Sequence, residues 1–452
     1  MTKQTIETTC CVVGGGPAGV MLGYLLARAG VEVTVLEKHK DFFRDFRGDT
    51  VHPSTLELFY ELGILDDFLK VPHQELTGTG GVFGDFAFRA ADFSSLPTHC
   101  KFVALMPQWD LLDFLSGKAK AFPSFTLRMQ NEAVGLIEEG GAVRGVVSKT
   151  PDGDVEIRAD LVVGCDGRHS LTRHAARFEV LESGVPIDVL WFRIGRQGND
   201  PENLFGNINY GSAIILIPRG DYFQAAMVIR KGSFEQIRQN GIEAFREDIR
   251  RIAPFLGHRV DELQDWDQIK LLSVQINRLR QWYRAGLLCI GDAAHAMSPV
   301  GGVGINLAIQ DAVATANLLA EPLREGLLSE ELLARIQDRR EFPTRVTQFL
   351  QVQAHKGLQT IFRNPGPAVA PWQMRAVLSI PGIQKVTARV IGVGVLPEHI
   401  KGARPEKKCP VPLLKRIAIG AGLVAAGVVI GAKVIKAQRR RQYAWGESRA
   451  GF

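Results

Sequence analysis

The sequence predicts an α/β fold. A Rossmann-like nucleotide-binding domain, discontinuous along the chain, carries an inserted, mostly β-sheet domain, with C-terminal helices and a possible membrane helix. Three stretches carry that prediction. Residues 9–13 read as a buried strand that runs into a glycine-rich turn and a helix. Residues 287–290 form a second apolar run, stopped by Gly291-Asp292 and followed by another glycine-rich loop and a helix from about Gly304. Between them, from about Val180 to Val274, the texture changes to alternating strands.

The first turn is Gly14-Gly15-Gly16-Pro17-Ala18-Gly19. Gly14 permits the tight turn, Gly16 lets the backbone approach a pyrophosphate, and Gly19 lets helix and strand pack closely. The dipole of the following helix favours the phosphates. Residues 31–36 form the next strand, and Glu37, followed by Lys38, stands where an acid binds ribose hydroxyls. The glycine pattern by itself is weak evidence. Between a strand and a helix, with the acid in position, it specifies a dinucleotide site rather than a structural turn.

Arg47 lies in the loop before a helix that starts at Pro53 and continues through Leu56, Phe59 and Leu62. Taken singly, Arg47 reads as a solvated loop charge and His52 as a polar residue at a helix entry. Residues 77–89 alternate like a hairpin, and a helix begins near Gln108. Residues 125–137, 142–148 and 155–157 read as short strands. The apolar strand 159–165 ends at Asp166-Gly167, where Asp166 reads equally as turn chemistry. In the alternating region, strands 213–217 and 222–229 flank the turn Pro218-Arg219-Gly220-Asp221. One sheet face there is apolar enough for a flat ligand or for an ordinary core. Residues 235–252 read as one helix, and 333–359 as a helix pair interrupted at Pro343. A second glycine fingerprint after a strand is absent, so no separate domain for a second dinucleotide is expected.

Length and composition bound the rest. A chain of 452 residues holds two or more cores, and 23% charged and 46% hydrophobic residues are ordinary globular values. The net charge of +6 is modest, and much of the basic excess falls in the last fifty residues, so no nucleic-acid face is expected. Six cysteines without C-x-x-C spacing predict neither disulfides nor a metal site. With no N-terminal signal peptide, the expected location is cytoplasmic. The expected division is 1–75, 100–178 and 276–330 for the nucleotide-binding domain, and 76–99 with 179–275 for the substrate-binding sheet. Residues 331–400 form a helical region, and 401–452 a basic tail.

With the motifs in order, residues 8–400 resemble the FAD-dependent monooxygenases related to p-hydroxybenzoate hydroxylase. The matching pieces are Gly14 to Gly19, the loop from Arg47 to His52, Gly164-Cys165-Asp166-Gly167-Arg168-His169-Ser170, and the stretch from Gly291 to Asn306. The resemblance implies bound FAD, NADH or NADPH as reductant, and O2 as co-substrate. It implies transfer of OH from a flavin C4a-hydroperoxide to an aromatic or other electron-rich substrate, and the apolar tail adds the expectation that this substrate is lipophilic. Residue by residue, Glu37 would bind the adenosine ribose, Gln108 the cofactor backbone, and Asp292 a ribityl hydroxyl. Asp166-Gly167 would serve both FAD and the pyridine nucleotide. Arg47 would contact the flavin at the active-site edge, and Pro299 would lie beside the ring where oxygen reacts. Gly304, Ile305 and Asn306 would place their backbone near the flavin N1–C2 carbonyl, where a helix N-terminus favours negative charge, and Gly302 would be a further cofactor contact. Arg47, Pro299 and His52 are the catalytic candidates, and His52, Arg219 and Tyr222 the substrate contacts. Val303 departs from the polar residue of many relatives, no tyrosine–histidine relay aligns, and the halogenase signature W-x-W-x-I-P is absent. Two other readings stay open: a flavin-dependent reductase of a lipid or isoprenoid, and a non-catalytic FAD-bound scaffold at a membrane.

The tail carries the membrane expectation. Residues 417–432 are uncharged, and about sixteen helical residues reach roughly 24 Å, short of the ~30 Å hydrocarbon core. Counted as 413–435 with snorkelling lysines, the length suffices. The contact expected is a tail anchor with the catalytic part on the cytoplasmic side, and Gly427-x-x-x-Gly431 offers a homodimer contact. A peripheral or buried helix is the alternative.

Overall fold

The computed structural model describes residues 4–43, 50–201, 205–362 and 366–402. Arg47 and the apolar stretch 413–435 lie outside the described residues. An eight-stranded sheet forms the first layer. Its strand Gln4–Val13 pairs in parallel with Val33–Glu37 on one side and Gly153–Gly164 on the other. Phe125–Met129 and Leu287–Cys289 extend the two sides, also in parallel. A parallel sheet covered on both faces needs unbroken apolar runs, and Cys10, Cys11, Val12, Leu161, Val162 and Leu288 are accordingly buried. The antiparallel hairpin Glu132–Glu139 and Ala142–Thr150 hangs from Gly153–Gly164.

Helices α1 (Pro17–Arg28), α2 (Pro53–Glu61), α3 (Leu65–Phe68) and α4 (Gln108–Ala119) share one core with this sheet, and the one-turn α5 (Leu171–Ala175) follows Gly153–Gly164. α1 lies close because residue 23 has no side chain: a Cβ on Gly23 would sit 2.6 Å from Val35 and 2.8 Å from Phe125. The register sets Val13 beside Leu36 and Gly164, and Gly164 beside Cys289. These parallel strands therefore end at one edge, and Gly14, Glu37, Asp166 and Asp292 all emerge there, where open α/β sheets bind their ligands.

The second sheet has seven strands, in the order Lys270–Leu272, Ile187–Gly195, Tyr222–Arg230, Ser212–Arg219, Phe205–Asn209, Gly78–Phe83 and Phe86–Asp92. Leu190, Phe192 and Ile214 on one face meet Phe245, Ile249 and Ile252 of the covering helix. The single helix expected over 235–252 is two, α6 (Phe234–Gln239) and α7 (Ile242–Ile252). Between them Gly241 takes φ +88°, which a continuous helix cannot hold. On the other face, Val189, Trp191, Ile215 and Ile217 pack against Phe362, Ala388 and Ile391. Both faces are thus apolar, and the C-terminal chain packs on the one that α7 leaves.

α8 (Gly304–Glu325) and α9 (Glu330–Ile361) close the structure, followed by α10 (Trp372–Leu378) and α11 (Ile383–Gly392). The expected break at Pro343 does not occur: α9 runs through it for 32 residues. Proline removes one backbone hydrogen bond. Buried side chains on both sides, Ile336 and Arg340 before and Gln348 and Gln351 after, hold the two halves to the same body. Among the described residues no helix is long and apolar enough to cross a membrane.

The α1 contact yields a direct test. Gly23→Ala should lower the unfolding free energy by about 1–3 kcal/mol through overpacking against Val35 and Phe125, measured by urea denaturation.

Candidate active site

The first motif forms a bare-backbone cradle. A Cβ on Gly19 would lie 1.9 Å from the Gly14 carbonyl oxygen, so helix and turn approach only because residue 19 is glycine. Gly16, at the N-cap of α1, faces open space within 4 Å, and no side chain caps the helix. Glu37 stands beside it and accepts from the backbone N–H groups of Gly15 (3.2 Å) and His39 (3.0 Å). Lys38 is exposed next to it, and Gln108 begins α4, half-buried.

The second and third motifs meet. Asp166 accepts from the Thr172 N–H and hydroxyl, both at 2.9 Å, and so ties the turn to the start of α5. Gly167 follows with φ +81°, and the next residue, Arg168, donates from Nε to Asp292 at 3.1 Å. The Asp292 side chain keeps about a third of its exposure. Arg168 was not among the residues singled out from the sequence, and its signal there is only its place inside the second motif.

A buried charge cluster holds the third motif in place. The Asp311 carboxylate accepts from the Gly291 N–H (3.0 Å) and from Arg340 Nε (2.8 Å), and bonds to His295 Nε2 (2.6 Å). All three side chains are buried. Burial by itself would raise the Asp311 carboxyl, but His295 and Arg340 together hold it below the usual range. Arg340 also reaches Glu398, which Arg339 grips through Nε and Nη2.

The loop between Asp292 and α8 is pinned from two sides. Asn306 accepts from the His52 N–H and the Thr55 hydroxyl, both at 2.8 Å, and donates to the carbonyls of Thr50 (3.2 Å) and Gly302 (3.3 Å). The His52 ring is buried and its Nδ1 bonds to the Ile391 carbonyl at 2.8 Å, which makes Nδ1 the protonated nitrogen. Burial lowers its pKa from 6.5 to about 4. From the other side, α9 presents Gln348, Gln351 and His355 to residues 296–300. Gln351 accepts from the Ser298 N–H and donates to the carbonyls of Ser298 and Val300. His355 Nε2 bonds to the Ser298 hydroxyl at 2.9 Å, and burial lowers its pKa to about 4. Pro299 sits inside this clamp. Gly304 and Ile305 open α8, whose N-terminus also lacks a side-chain cap. The spacing of Gln348, Gln351 and His355 marks one helix face, and that shared face is the whole of the signal the sequence carries for the clamp.

Two hollows adjoin these parts. A cleft of about 610 Å³ lies between Trp109, next to Gln108, and the second sheet, lined by Tyr222, Arg193 and Lys270. Arg193 stacks over the Tyr222 ring at 5.0 Å. Arg219, paired with Tyr222 across the hairpin, is buried and does not line the cleft. The other hollow, about 170 Å³, lies behind the Pro299 loop, with walls from Val300, Leu307, Val390, Ile391 and Leu396. Gln310 also lines it. The Gln310 Oε1 accepts from the Glu398 N–H, while its buried Nε2 has no partner among the described residues.

Two uncapped helix N-termini, a side-chain-free turn and two carboxylates of partial exposure thus converge on one sheet edge. That donor set suits a dinucleotide with a polyhydroxyl linker, and FAD is such a molecule. The chain matches the FAD binding domain family over residues 7–350 and belongs to it, as an FAD-dependent monooxygenase of the p-hydroxybenzoate hydroxylase-like kind. It is 34% identical to 6-methylpretetramide 4-monooxygenase of Streptomyces rimosus over 392 residues, covering 85% of this chain and 92% of the relative. It is 27% identical to the uncharacterized aromatic compound monooxygenase YhjG of Bacillus subtilis (strain 168), covering 76% of this chain and 70% of the relative. The crystal structure of p-nitrophenol 4-monooxygenase PnpA from Pseudomonas putida DLL-E4 shares the fold. Its TM-score is 0.67 at 20% identity, over 86% of this chain and 96% of that one.

The buried carboxylate and the buried histidines each give a prediction. Asp311→Asn removes the nearer of the two carboxylates of Arg340, leaving only the longer contact to Glu398, and should cost about 3–5 kcal/mol in urea unfolding. His52 and His355 are held neutral in the folded state, so the stability they contribute is complete above pH 6.5 and lost as pH falls toward about 4. Unfolding midpoints should decline over that window, and His355→Gln, which keeps a partner for Ser298, should flatten the decline.

Proposed function

We propose that the chain uses NADH or NADPH to reduce bound FAD and places one oxygen atom of O2 on an electron-rich, uncharged aromatic ring. The apolar hollow behind the Pro299 loop carries the substrate class. Its volume of about 170 Å³ suits one benzene-sized ring, since a dry cavity of ~150 Å³ accepts benzene. The unpartnered Gln310 Nε2 supplies a single donor for a ring oxygen. Such a bond would recover the roughly 1–3 kcal/mol that a buried, unsatisfied group costs. A relative named as an aromatic compound monooxygenase lends the same reading support.

The residues divide the work. Gly14, Gly15, Gly16 and the first turn of α1, with Pro17, Ala18 and Gly19, would hold the pyrophosphate, and Glu37 the ribose beside Lys38. Gln108 would meet the cofactor backbone, and Asp166-Gly167 would shape the turn that carries Arg168. Arg168 orients Asp292, whose carboxylate would take a ribityl hydroxyl. The start of α8 at Gly304, Ile305 and Asn306 would face the pyrimidine edge of the flavin, where free N–H groups and the helix dipole stabilise negative charge. Bound FAD supplies the electrons and the oxygen activation. Pro299 and Gly302 would border its ring, and Arg47 would cover the exposed edge. His52, neutral near pH 7, would keep the 50–55 segment against α8. Tyr222 would meet substrate in the open cleft, with Arg219 behind it. The apolar walls exclude water from the reacting ring. The two sheets correspond in this reading to cofactor and substrate domains, and the 413–435 stretch would add membrane contact.

The test is NAD(P)H oxidation by FAD-loaded protein with a panel of phenols under isotopically labelled dioxygen. The expected result is stimulated oxidation and a product with one labelled oxygen. Turnover that proceeds without dioxygen would instead establish a reductase. Asp292→Ala should weaken FAD binding by roughly tenfold or more, the loss of one charge-assisted hydrogen bond, in a flavin fluorescence titration. Gln310→Leu should raise KM about tenfold with kcat less affected.

A further inference from the structure

The chain from 366 to 396 holds α10 and α11 and departs from the rest of the surface. It contains no aspartate or glutamate, and three basic residues, Arg375, Lys385 and Arg389. α10 has the sequence Trp-Gln-Met-Arg-Ala-Val-Leu, yet none of its residues is buried. Val369 is 74% exposed, Trp372 68%, Ile380 42% and Val386 40%. α11 turns Ile383, Ala388 and Gly392 inward, with Gly392 against Phe93 and Leu96, and leaves Lys385 and Val386 outside. Arg375 is taken by Asp85 at 2.7 Å, so Lys385 and Arg389 supply the charge of this face.

We propose that the 366–396 face seats the enzyme on the surface of an anionic lipid bilayer. Large apolar side chains left together on a surface mark an interaction site. A tryptophan beside aliphatic residues and basic groups is the chemistry of the headgroup boundary. Charge decides against a second copy of the chain. A twofold contact would set this face against itself and bring Lys385 and Arg389 against like charge, because the acids beside the face, Asp85 and Asp92, already face Arg375 and Lys385 of their own copy. Anionic headgroups attract both residues. The sequence beyond residue 402 has the same character, with Lys415, Arg416, Lys433 and Lys436 around the uncharged 417–432. Val390, Ile391 and Leu396 of this segment also wall the hollow behind the Pro299 loop. If the hydroxylase reading holds, the seating sets one wall of the substrate hollow beside the bilayer; the seating itself does not depend on that reading.

The test is co-sedimentation of the full-length, FAD-loaded protein with two vesicle types: phosphatidylcholine alone, and phosphatidylcholine mixed equally with phosphatidylglycerol. Three forms are compared: the parent, a Val369→Ser, Trp372→Ser, Ile380→Ser variant, and a Lys385→Glu, Arg389→Glu variant. The parent should bind the anionic vesicles, and each variant should bind at least about tenfold more weakly with unchanged flavin absorbance and melting. The tail is intact in every form. Equal binding by all three would therefore place the contact in the tail and overturn the proposal. Absence of binding by the parent, or a parent dimer that the serine variant dissociates while vesicle binding stays unchanged, would overturn it as well.

Discussion

The Asp311 carboxylate is the constraint on which the site depends. One buried anion receives the Gly291 N–H, the His295 ring and the Arg340 guanidinium. It thereby fixes the third motif to α8 and α8 to α9. A charge so far from water persists only when fully bonded. Here the partners come from the third motif and from α9, so the requirement for satisfaction becomes a requirement for one arrangement. Arg340 passes the constraint on to Glu398 and so to the C-terminal chain.

Around that anchor the chain leaves selected groups unsatisfied. The N-termini of α1 and α8 lack side-chain caps, in contrast to α9, whose Ser329 accepts from the Leu332 N–H. Uncapped termini cost stability in an empty protein. Both lie where the motifs converge, and an anionic or electron-rich ligand would satisfy them. The same division appears between Asn306, whose amide is wholly committed to protein partners, and Gln310, one turn along, whose Nε2 has none.

The Pro299 loop shows how a glycine-rich segment is made rigid. Gly301 and Gly302 adopt positive φ and supply no side chains of their own. Order comes from outside, through Gln351 and His355 on one side and Thr50 and Asn306 on the other. A loop that must border a reacting ring without covering it gains definition in this way while its own surface stays open.

The sequence by itself determined the local pieces: the strand–turn–helix around Gly14 and Gly19, the acid at Glu37, the strand end at Asp292 and the alternating strands of the second sheet. Each follows from periodicity and glycine placement within some twenty residues, where local sterics decide. Only the tertiary structure decided what depends on partners far along the chain. Arg168 meets Asp292 across 124 positions, and His52 meets Ile391 across 339. The run through Pro343 belongs to the same class, because packing on both sides outweighed a local preference to break. So does the polar face of α9: no spacing rule says that Gln351 and His355 look inward at a loop instead of outward at water. The helix period places them on one face, and the fold chooses what that face touches.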